Sequence, residues 1–258
     1  MKIAIIQLAI DDKENKQERL SRVGAIIDGL RGVDLIVLPE LWNVGFFAFA
    51  DYKSRSEHLK GETISFLSSK AAEIGSYIFT GSFIERRGDQ YFNLSALLDR
   101  KGAVLGTYRK MHLFGYGSAE GKILTPGDDI TVVSTEFGKV GMCICYDLRF
   151  PELYRKMVDR GAEFIINCAA WPYPRVEHWT LLNQARAIES LAYIISCGCA
   201  GASKGMDFIG RSIVVDPWGT VVGCAAEREA VLKVDIDHKM VKTVRDEFPA
   251  LRDRKITF

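Results

Sequence analysis

Apolar residues along this chain follow two rhythms that alternate. Short continuous runs such as Lys2-Ile-Ala-Ile-Ile-Gln-Leu8 and Asp34-Leu-Ile-Val-Leu38 predict strands buried on both faces, at 2–8 and 34–38. Between them, apolar positions step by three and four, as in Leu20, Val23, Ile27 and Leu30, or Ile64, Leu67, Ala71 and Ile74; these spacings predict amphipathic helices. Asp11 and Asp12 are the expected caps of the first helix and Gly32 its stop, while Gly75 ends the second. Strands then cluster at 77–84, 91–98 and 103–108, separated by the turn-rich stretches 86–89 and 99–102, so two hairpins follow.

The same order of elements returns in the second half. Strands at 131–135 and 139–145 lead to a helix at 151–160 closed by Gly161, then to a strand at 163–168. A helix at 176–190, with Leu181, Ala185, Ile188 and Ala192 as its apolar positions, precedes strands at 193–198, 208–215, 220–224 and 230–235, with Asp216-Pro-Trp-Gly219 as a hairpin turn. Two β-α-β-α-β-β halves of an α/β protein are implied. No low-complexity tract or Pro/Gly/Ser linker divides them, so residues 1–258 are expected to form one domain.

Composition narrows the function classes. The 34 Lys plus Arg nearly cancel the 33 Asp plus Glu, which provides no field for nucleic acid or anionic lipid and suits a small-molecule substrate. No apolar run approaches the roughly 20 residues of a membrane span, and the N-terminal run is too short for a signal peptide. Of the six cysteines, Cys143, Cys145, Cys168, Cys197 and Cys199 lie in apolar runs, which argues for a reducing, cytoplasmic setting over a disulfide scaffold. The two Cys-x-Cys pairs have no His-rich partner segment to complete a zinc set, so no metal is expected.

Four of those cysteines read as small core residues. Cys145 differs, because it ends an apolar strand just before the polar turn Tyr146-Asp-Leu-Arg149 and the helix opened by Pro151. A thiol there is held by the sheet behind it, and nearness to a helix start is expected to favour the thiolate. Glu40 follows a buried strand yet is flanked by Leu41, Trp42, Val44, Phe46 and Phe47, too apolar a setting for a surface loop. Lys110 ends the run Val104-Leu-Gly-Thr-Tyr-Arg-Lys and gains its weight from the other two. Together they suit acyl transfer from an amide: a thiolate attacks the carbonyl, a carboxylate relays the proton to departing ammonia, and an ammonium with a backbone N–H stabilises the oxyanion.

Three strings, Leu38-Pro-Glu-Leu-Trp42, Tyr108-Arg-Lys-Met-His-Leu-Phe114 and Cys145-Tyr-Asp-Leu-Arg-Phe-Pro-Glu152, resemble in order the signature segments of the nitrilase, or carbon-nitrogen hydrolase, superfamily. Agreement extends to Asn167–Pro172, His178–Glu189 and Ile213–Thr220, nearly the whole chain. The resemblance implies a four-layer α-β-β-α sandwich, no metal or organic cofactor, and a triad of Glu40 as base, Lys110 as oxyanion stabiliser and Cys145 as nucleophile. It further implies a second glutamate before a Pro-Gly-Asp turn, a place that Glu120 fits, and an oxyanion donor in the N–H of Tyr146.

Within the superfamily the chain is most similar to the omega-amidase-like branch, which acts on short dicarboxylate monoamides such as 2-oxoglutaramate. The glycine-rich loop Gly115-Tyr-Gly-Ser-Ala119 is shorter than in several amidase branches. A distal carboxylate calls for a cation, and Arg149 and Arg175 are the candidates, the latter in Trp171-Pro-Tyr-Pro-Arg175; either arginine can instead form an ion pair with Glu152 or Glu189. A nitrile or N-carbamoyl amide is an alternative substrate, and a catalytically silent interaction protein is the alternative from another class. The resemblance also implies a homodimer, for which residues 153–158, the helix around His178–Glu189 and the stretch Asp246–Arg254 are candidate contacts.

Overall fold

The computed structural model describes residues 1–256. Its first half contains β1 (Lys2–Gln7), β2 (Ala9–Ile10), α1 (Lys16–Asp28), β3 (Leu35–Val37), α2 (Glu62–Ile74), β4 (Tyr77–Arg87), β5 (Gln90–Leu98) and β6 (Val104–Arg109). After the short α3 (Glu120–Ile123) come β7 (Val132–Thr135), β8 (Gly138–Ile144), α4 (Pro151–Asp159), β9 (Phe164–Ala169), α5 (Val176–Ser190) and β10 (Tyr193–Gly198). The chain continues through β11 (Ala200–Ser203), β12 (Met206–Asp207), β13 (Ile213–Val215), β14 (Val221–Cys224), β15 (Ala230–Asp235) and α6 (Met240–Glu247).

Two six-stranded sheets result, ordered β15-β1-β3-β4-β5-β6 and β14-β13-β10-β9-β8-β7, with a small third sheet of β12, β11 and β2. In each large sheet the central strands are parallel and the hairpins antiparallel. The parallel strands are apolar throughout because both of their faces are covered. Ile3, Ile5, Leu35 and Val37 of the first sheet join Met142, Ile144, Phe164 and Ile166 of the second in one buried cluster, which continues to Leu153, Met157 and Trp179 of α4 and α5. The opposite face of the first sheet packs Ala4, Ile6 and Ile36 against Leu20, Val23 and Ile27 of α1 and Leu67 and Ala71 of α2. Helix, sheet, sheet and helix therefore form the four layers that the resemblance implies. No helix among the described residues is long and apolar enough to cross a membrane.

Three local expectations are corrected. Helix α1 is capped by Asn15, whose side chain accepts the Glu18 N–H while Glu18 returns to the Asn15 N–H, and it ends at Gly29, before Gly32. Asp12 instead accepts from Ser203 and the Lys204 N–H, tying the loop to the far end of the chain. The strand expected over 208–215 is regular only at Ile213–Val215, because Gly210 and Arg211 take positive φ values of 64° and 53° and turn the backbone away from the ladder.

Of the four apolar positions assigned to α5, Leu181 and Ile188 face the wrong way, Ala185 is half-buried and Ala192 is buried just past the helix end. Leu181 and Ile188 are 65% and 53% exposed, while Trp179, Asn183, Arg186 and Ala187 point inward. The inversion is stable because the inward polar groups are satisfied: Asn183 bonds the Trp179 carbonyl and Ser196, and Arg186 bonds the Leu148 carbonyl and Glu189. Similarly, Leu153, Tyr154, Met157 and Val158 of α4 are spent on the chain's own core.

A bulge in β4 shapes the turn after β3. Pairing with β5 shifts register between Phe79 and Ser82, and Gly81 between them has φ 64°. Leu38 donates to the Phe79 carbonyl, Ser82 N–H donates to the Pro39 carbonyl, and Leu41 N–H donates to the Ser82 hydroxyl. A Cβ at position 81 would lie 2.1 Å from the Pro39 carbonyl oxygen, so the turn closes this tightly only over glycine. We expect Gly81→Ala to cost about 2–4 kcal/mol, combining left-handed strain with a forced backbone shift, and to displace Glu40. Urea denaturation with a parallel activity assay tests this; wild-type stability would show that the turn yields without strain.

Candidate active site

The four predicted catalytic side chains meet at one end of the two sheets. Glu40 lies in the turn after β3, Lys110 directly after β6, Cys145 directly after β8, and Glu120 opens α3. Glu40, Lys110 and Glu120 are fully buried and Cys145 is nearly so. Lys110 Nζ lies 2.8 Å from Glu40 Oε1 and 3.0 Å from each oxygen of Glu120. Glu40 Oε2 accepts the Ala170 N–H at 2.8 Å, just beyond β9, and Glu120 Oε2 accepts the Phe114 N–H at 2.7 Å.

The electrostatics of this cluster divide the groups by proton affinity. Burial by itself would discharge Lys110, but the carboxylates of Glu120 and Glu40 outweigh it and hold the ammonium well above the usual lysine range. The lysine therefore remains a cation at working pH and cannot serve as a base. Burial raises Glu120, with Lys110 opposing and Glu40 reinforcing the rise. Removing one member of a buried ion cluster leaves uncompensated charge and typically costs about 3–5 kcal/mol.

Cys145 sits at a sharp elbow. Its φ is 50°, in the left-handed region that side chains rarely adopt, and a short 3₁₀ turn over Cys145–Arg149 follows. Such a conformation costs on the order of 1–3 kcal/mol and persists only when its surroundings impose it. Here the Cys145 N–H donates to Asn167 Oδ1 at 2.6 Å, and the Ile144 N–H donates to Asp147 Oδ2 at 2.9 Å.

The expectation that a helix start favours the thiolate is corrected. Burial pushes the Cys145 thiol well above its ordinary range, and the Glu40 carboxylate beside it pushes the same way, both as a charge and as a hydrogen-bond partner; Lys110 only partly opposes them. A five-residue 3₁₀ turn has too little dipole to reverse this. The resting thiol keeps its proton and needs a base.

Three residues that sequence reasoning missed hold this geometry. Asn93 of β5 donates from Nδ2 to both Glu40 Oε1 and Glu120 Oε1, at 2.9 and 3.0 Å. Asn167 of β9 holds the elbow. Buried Asp147 accepts the Tyr108 hydroxyl at 2.7 Å, the His112 N–H at 3.1 Å and the Ile144 N–H, and lies 2.7 Å from His112 Nδ1, so it ties the lysine segment to the nucleophile segment. A signal was present for the two amides: each interrupts an apolar strand, in Tyr91-Phe-Asn-Leu94 and Ile165-Ile-Asn-Cys168, and a buried amide needs partners.

Next to the thiol is a small pocket lined by Phe46, Phe114, Cys145, Tyr146, Arg149, Ala170, Trp171, Pro172 and Arg175. All four side chains predicted to contact substrate, Tyr146, Arg149, Trp171 and Arg175, are among them. Neither arginine takes the alternative ion-pair role: Glu189 pairs with Arg186, and among the described residues Arg149 and Arg175 have no carboxylate partner. Arg149 instead lies 3.2 Å from His178 Nδ1 and over the Trp171 ring at 4.8 Å. Arg175 stacks over Phe114 and Tyr116, and its Nη1 is buried without a hydrogen-bond partner among the described residues.

The carbon-nitrogen hydrolase pattern matches residues 2–246. The chain belongs to the carbon-nitrogen hydrolase family. The hydrolase is 34% identical over 261 residues to the 2-oxoglutaramate amidase of Paenarthrobacter nicotinovorans, covering 98% of this chain and 89% of the relative. It is 32% identical over 266 residues to the omega-amidase of Mus musculus, covering 98% and 95%. Among solved structures, a carbon-nitrogen hydrolase superfamily protein of Xanthomonas campestris, with an arsenic adduct in its active site, superposes with a TM-score of 0.93 at 27% identity, covering 100% of this chain and 98% of the other. A Saccharomyces cerevisiae member of branch 10 of the nitrilase superfamily gives 0.89 at 29% identity, with 99% and 97% covered. The hydrolase is thus an amidase acting on non-peptide amides.

Because Glu40 is the strongest single charge opposing ionisation of Cys145, Glu40→Gln should move the midpoint of Cys145 alkylation by iodoacetamide to lower pH. Mass spectrometry of the alkylated peptide across pH reads the shift. An unchanged or raised midpoint would contradict this account of the thiol.

Proposed function

We propose that the hydrolase is an omega-amidase, releasing ammonia from the terminal amide of a short dicarboxylate monoamide such as 2-oxoglutaramate, with Cys145 as nucleophile, Glu40 as base and Lys110 as oxyanion stabiliser. The observation that carries this reading is the pair of guanidiniums, Arg149 and Arg175, in a small apolar-walled pocket beside the thiol with no acidic partner among the described residues. Burial disfavours the charge on Arg149, and the neighbouring Arg175 cation adds to that, so an anion bound between them relieves both. The orphaned Nη1 of Arg175 supplies a donor for one of its oxygens. The two relatives named for amidases of this kind are 34% and 32% identical to the chain.

In the first half-reaction, Sγ of Cys145 attacks the amide carbon as Glu40 takes the thiol proton. The developing oxyanion is stabilised by the Lys110 ammonium and the Tyr146 N–H. Glu40 then delivers its proton to the amide nitrogen, the C–N bond breaks, and ammonia leaves a thioester behind. Water attacks that thioester with Glu40 accepting its proton; the proton returns to the sulfur and the dicarboxylate is released. Glu120 keeps Lys110 in place through both half-reactions.

Ammonia release is expected from succinamate, glutaramate and 2-oxoglutaramate, and to be abolished in Cys145→Ala. Arg175→Gln should raise KM for these substrates by about 10- to 100-fold, the worth of a charged hydrogen bond, with little effect on a neutral amide of equal length. Turnover confined to a nitrile or an N-carbamoyl amino acid, or an unchanged KM in Arg175→Gln, would overturn the substrate assignment.

We further propose a cytoplasmic homodimer. Six free thiols, five of them buried, support a reducing compartment. Leu181 and Ile188 stand exposed on one stripe of α5, and Trp218 and Phe248 are 46% and 48% exposed, an apolar surface suited to a second copy. Light scattering at micromolar concentration should give twice the chain mass, falling to the monomer in Leu181→Asp/Ile188→Asp; a monomeric wild type would refute the dimer.

A further inference from the structure

Among the described residues, Asn93 bonds every charged member of the buried cluster. Its backbone carbonyl accepts the Lys110 N–H at 2.9 Å, which fixes where the lysine side chain begins. Its side-chain Nδ2 lies 2.9 Å from Glu40 Oε1 and 3.0 Å from Glu120 Oε1, so its two hydrogens are divided between the carboxylates. The Lys110 ammonium bonds these same two oxygens. Two anions converge on one cation, and without a second donor between them their repulsion would favour opening the cluster.

The orientation of the amide follows from charge. Turned over, its oxygen would face two carboxylate oxygens, so Nδ2 must point toward them and Oδ1 away. Oδ1 is buried and has no hydrogen-bond partner among the described residues. An unsatisfied buried acceptor is unfavourable for folding, so stability alone would select a different side chain at this position.

We propose that Asn93 is a positioning residue for amide hydrolysis, which holds Glu40 and Glu120 together around Lys110 so that Glu40 faces the Cys145 thiol throughout the proton relay. This rests on the roles proposed above for Glu40, Lys110 and Cys145. The charged and titratable groups facing Glu40 are Lys110 from the end of β6, Glu120 from α3, Cys145 from the turn after β8, and the buried Tyr52, Cys168 and Cys199. Burial raises the proton affinity of Glu120 most, and the hydrogen bond from Asn93 is among the influences that lower it. A carboxylate that loses an N–H donor binds its proton more tightly. The ionised Glu120 that holds Lys110 then survives acidification only down to a higher pH, so loss of Asn93 moves the acid limb of the rate profile upward.

The test is the pH dependence of kcat and kcat/KM for Asn93→Ala, Asn93→Ser and Asn93→Asp on the monoamide that wild type turns over best, with urea midpoints measured alongside. Asn93→Ala should lower kcat on the order of 10²-fold, the scale of a misplaced reacting group, with KM little changed and the acid limb at higher pH. Asn93→Ser, able to donate to only one carboxylate, should fall between Ala and wild type. Asn93→Asp, which adds a third negative charge, should be the least active. Should Asn93→Ala fail to fold, the serine variant carries the comparison through its acid limb. A variant that keeps wild-type kcat and acid limb, or loses activity only in proportion to its unfolded fraction with the limb unmoved, overturns the inference. Failure of the underlying reading is distinguishable, because wild type itself would then release no ammonia or Cys145→Ala would remain active.

Discussion

The buried ammonium of Lys110, held between Glu40 and Glu120, is the interaction on which the rest of the site depends. An isolated charge in this dry interior would be too costly to keep, and so would either carboxylate. Each is stable only because the others are present, which couples the turn after β3, the end of β6 and the start of α3 into one unit. Their mutual compensation also locks the lysine as a cation, which supports the proposed role of a carboxylate as the group that moves a proton.

That cluster makes demands on the surrounding backbone. Two side chains next to the chemistry, Leu41 and Cys145, adopt positive φ values of 46° and 50°. Each turn is held by polar groups of a neighbouring strand, Ser82 of β4 for the first and Asn167 of β9 for the second. The two sheets thus act as rigid supports for strained elbows, in keeping with the rule that precise sites are built on regular elements. Asp147 completes the frame by joining the segments that carry Lys110 and Cys145.

The resting thiol is protonated because the carboxylate beside it disfavours a second negative charge. In the proposed mechanism substrate changes that balance, since the charge of the attacking sulfur moves to an oxygen that an ammonium and a backbone N–H are suited to receive. The arginines extend the same logic to recognition. Two cations left without protein anions among the described residues line the same pocket as the sulfur, which supports the proposed recognition of an anionic substrate.

Much of this was legible along the chain. Continuous apolar runs marked the parallel strands because strands covered on both faces need no polar alternation, and β15 and α5 fall on their expected boundaries. Glu40, Lys110 and Cys145 stood out because charge or a thiol followed directly on an apolar run, and Glu120 followed from the family likeness. The outward face of α5 was misread because its inward face carries Asn183 and Arg186, whose polarity is tolerable only once Ser196, Leu148 and Glu189 are in place. The strand over 208–215 failed for a related reason, since the turn at Gly210 and Arg211 is held by Cys199 and Ala226, distant in sequence. The state of the thiol was misjudged because a neighbouring motif suggests a dipole, whereas the charge that controls it comes from Glu40, more than a hundred positions earlier. Local pattern by itself determined the buried strands and longer helices that carry the core, the family and the residue types available for chemistry. Only the tertiary structure decided which polar groups share a buried space, because hydrogen-bond partners and proton affinities depend on distances that chain folding, not sequence neighbourhood, sets.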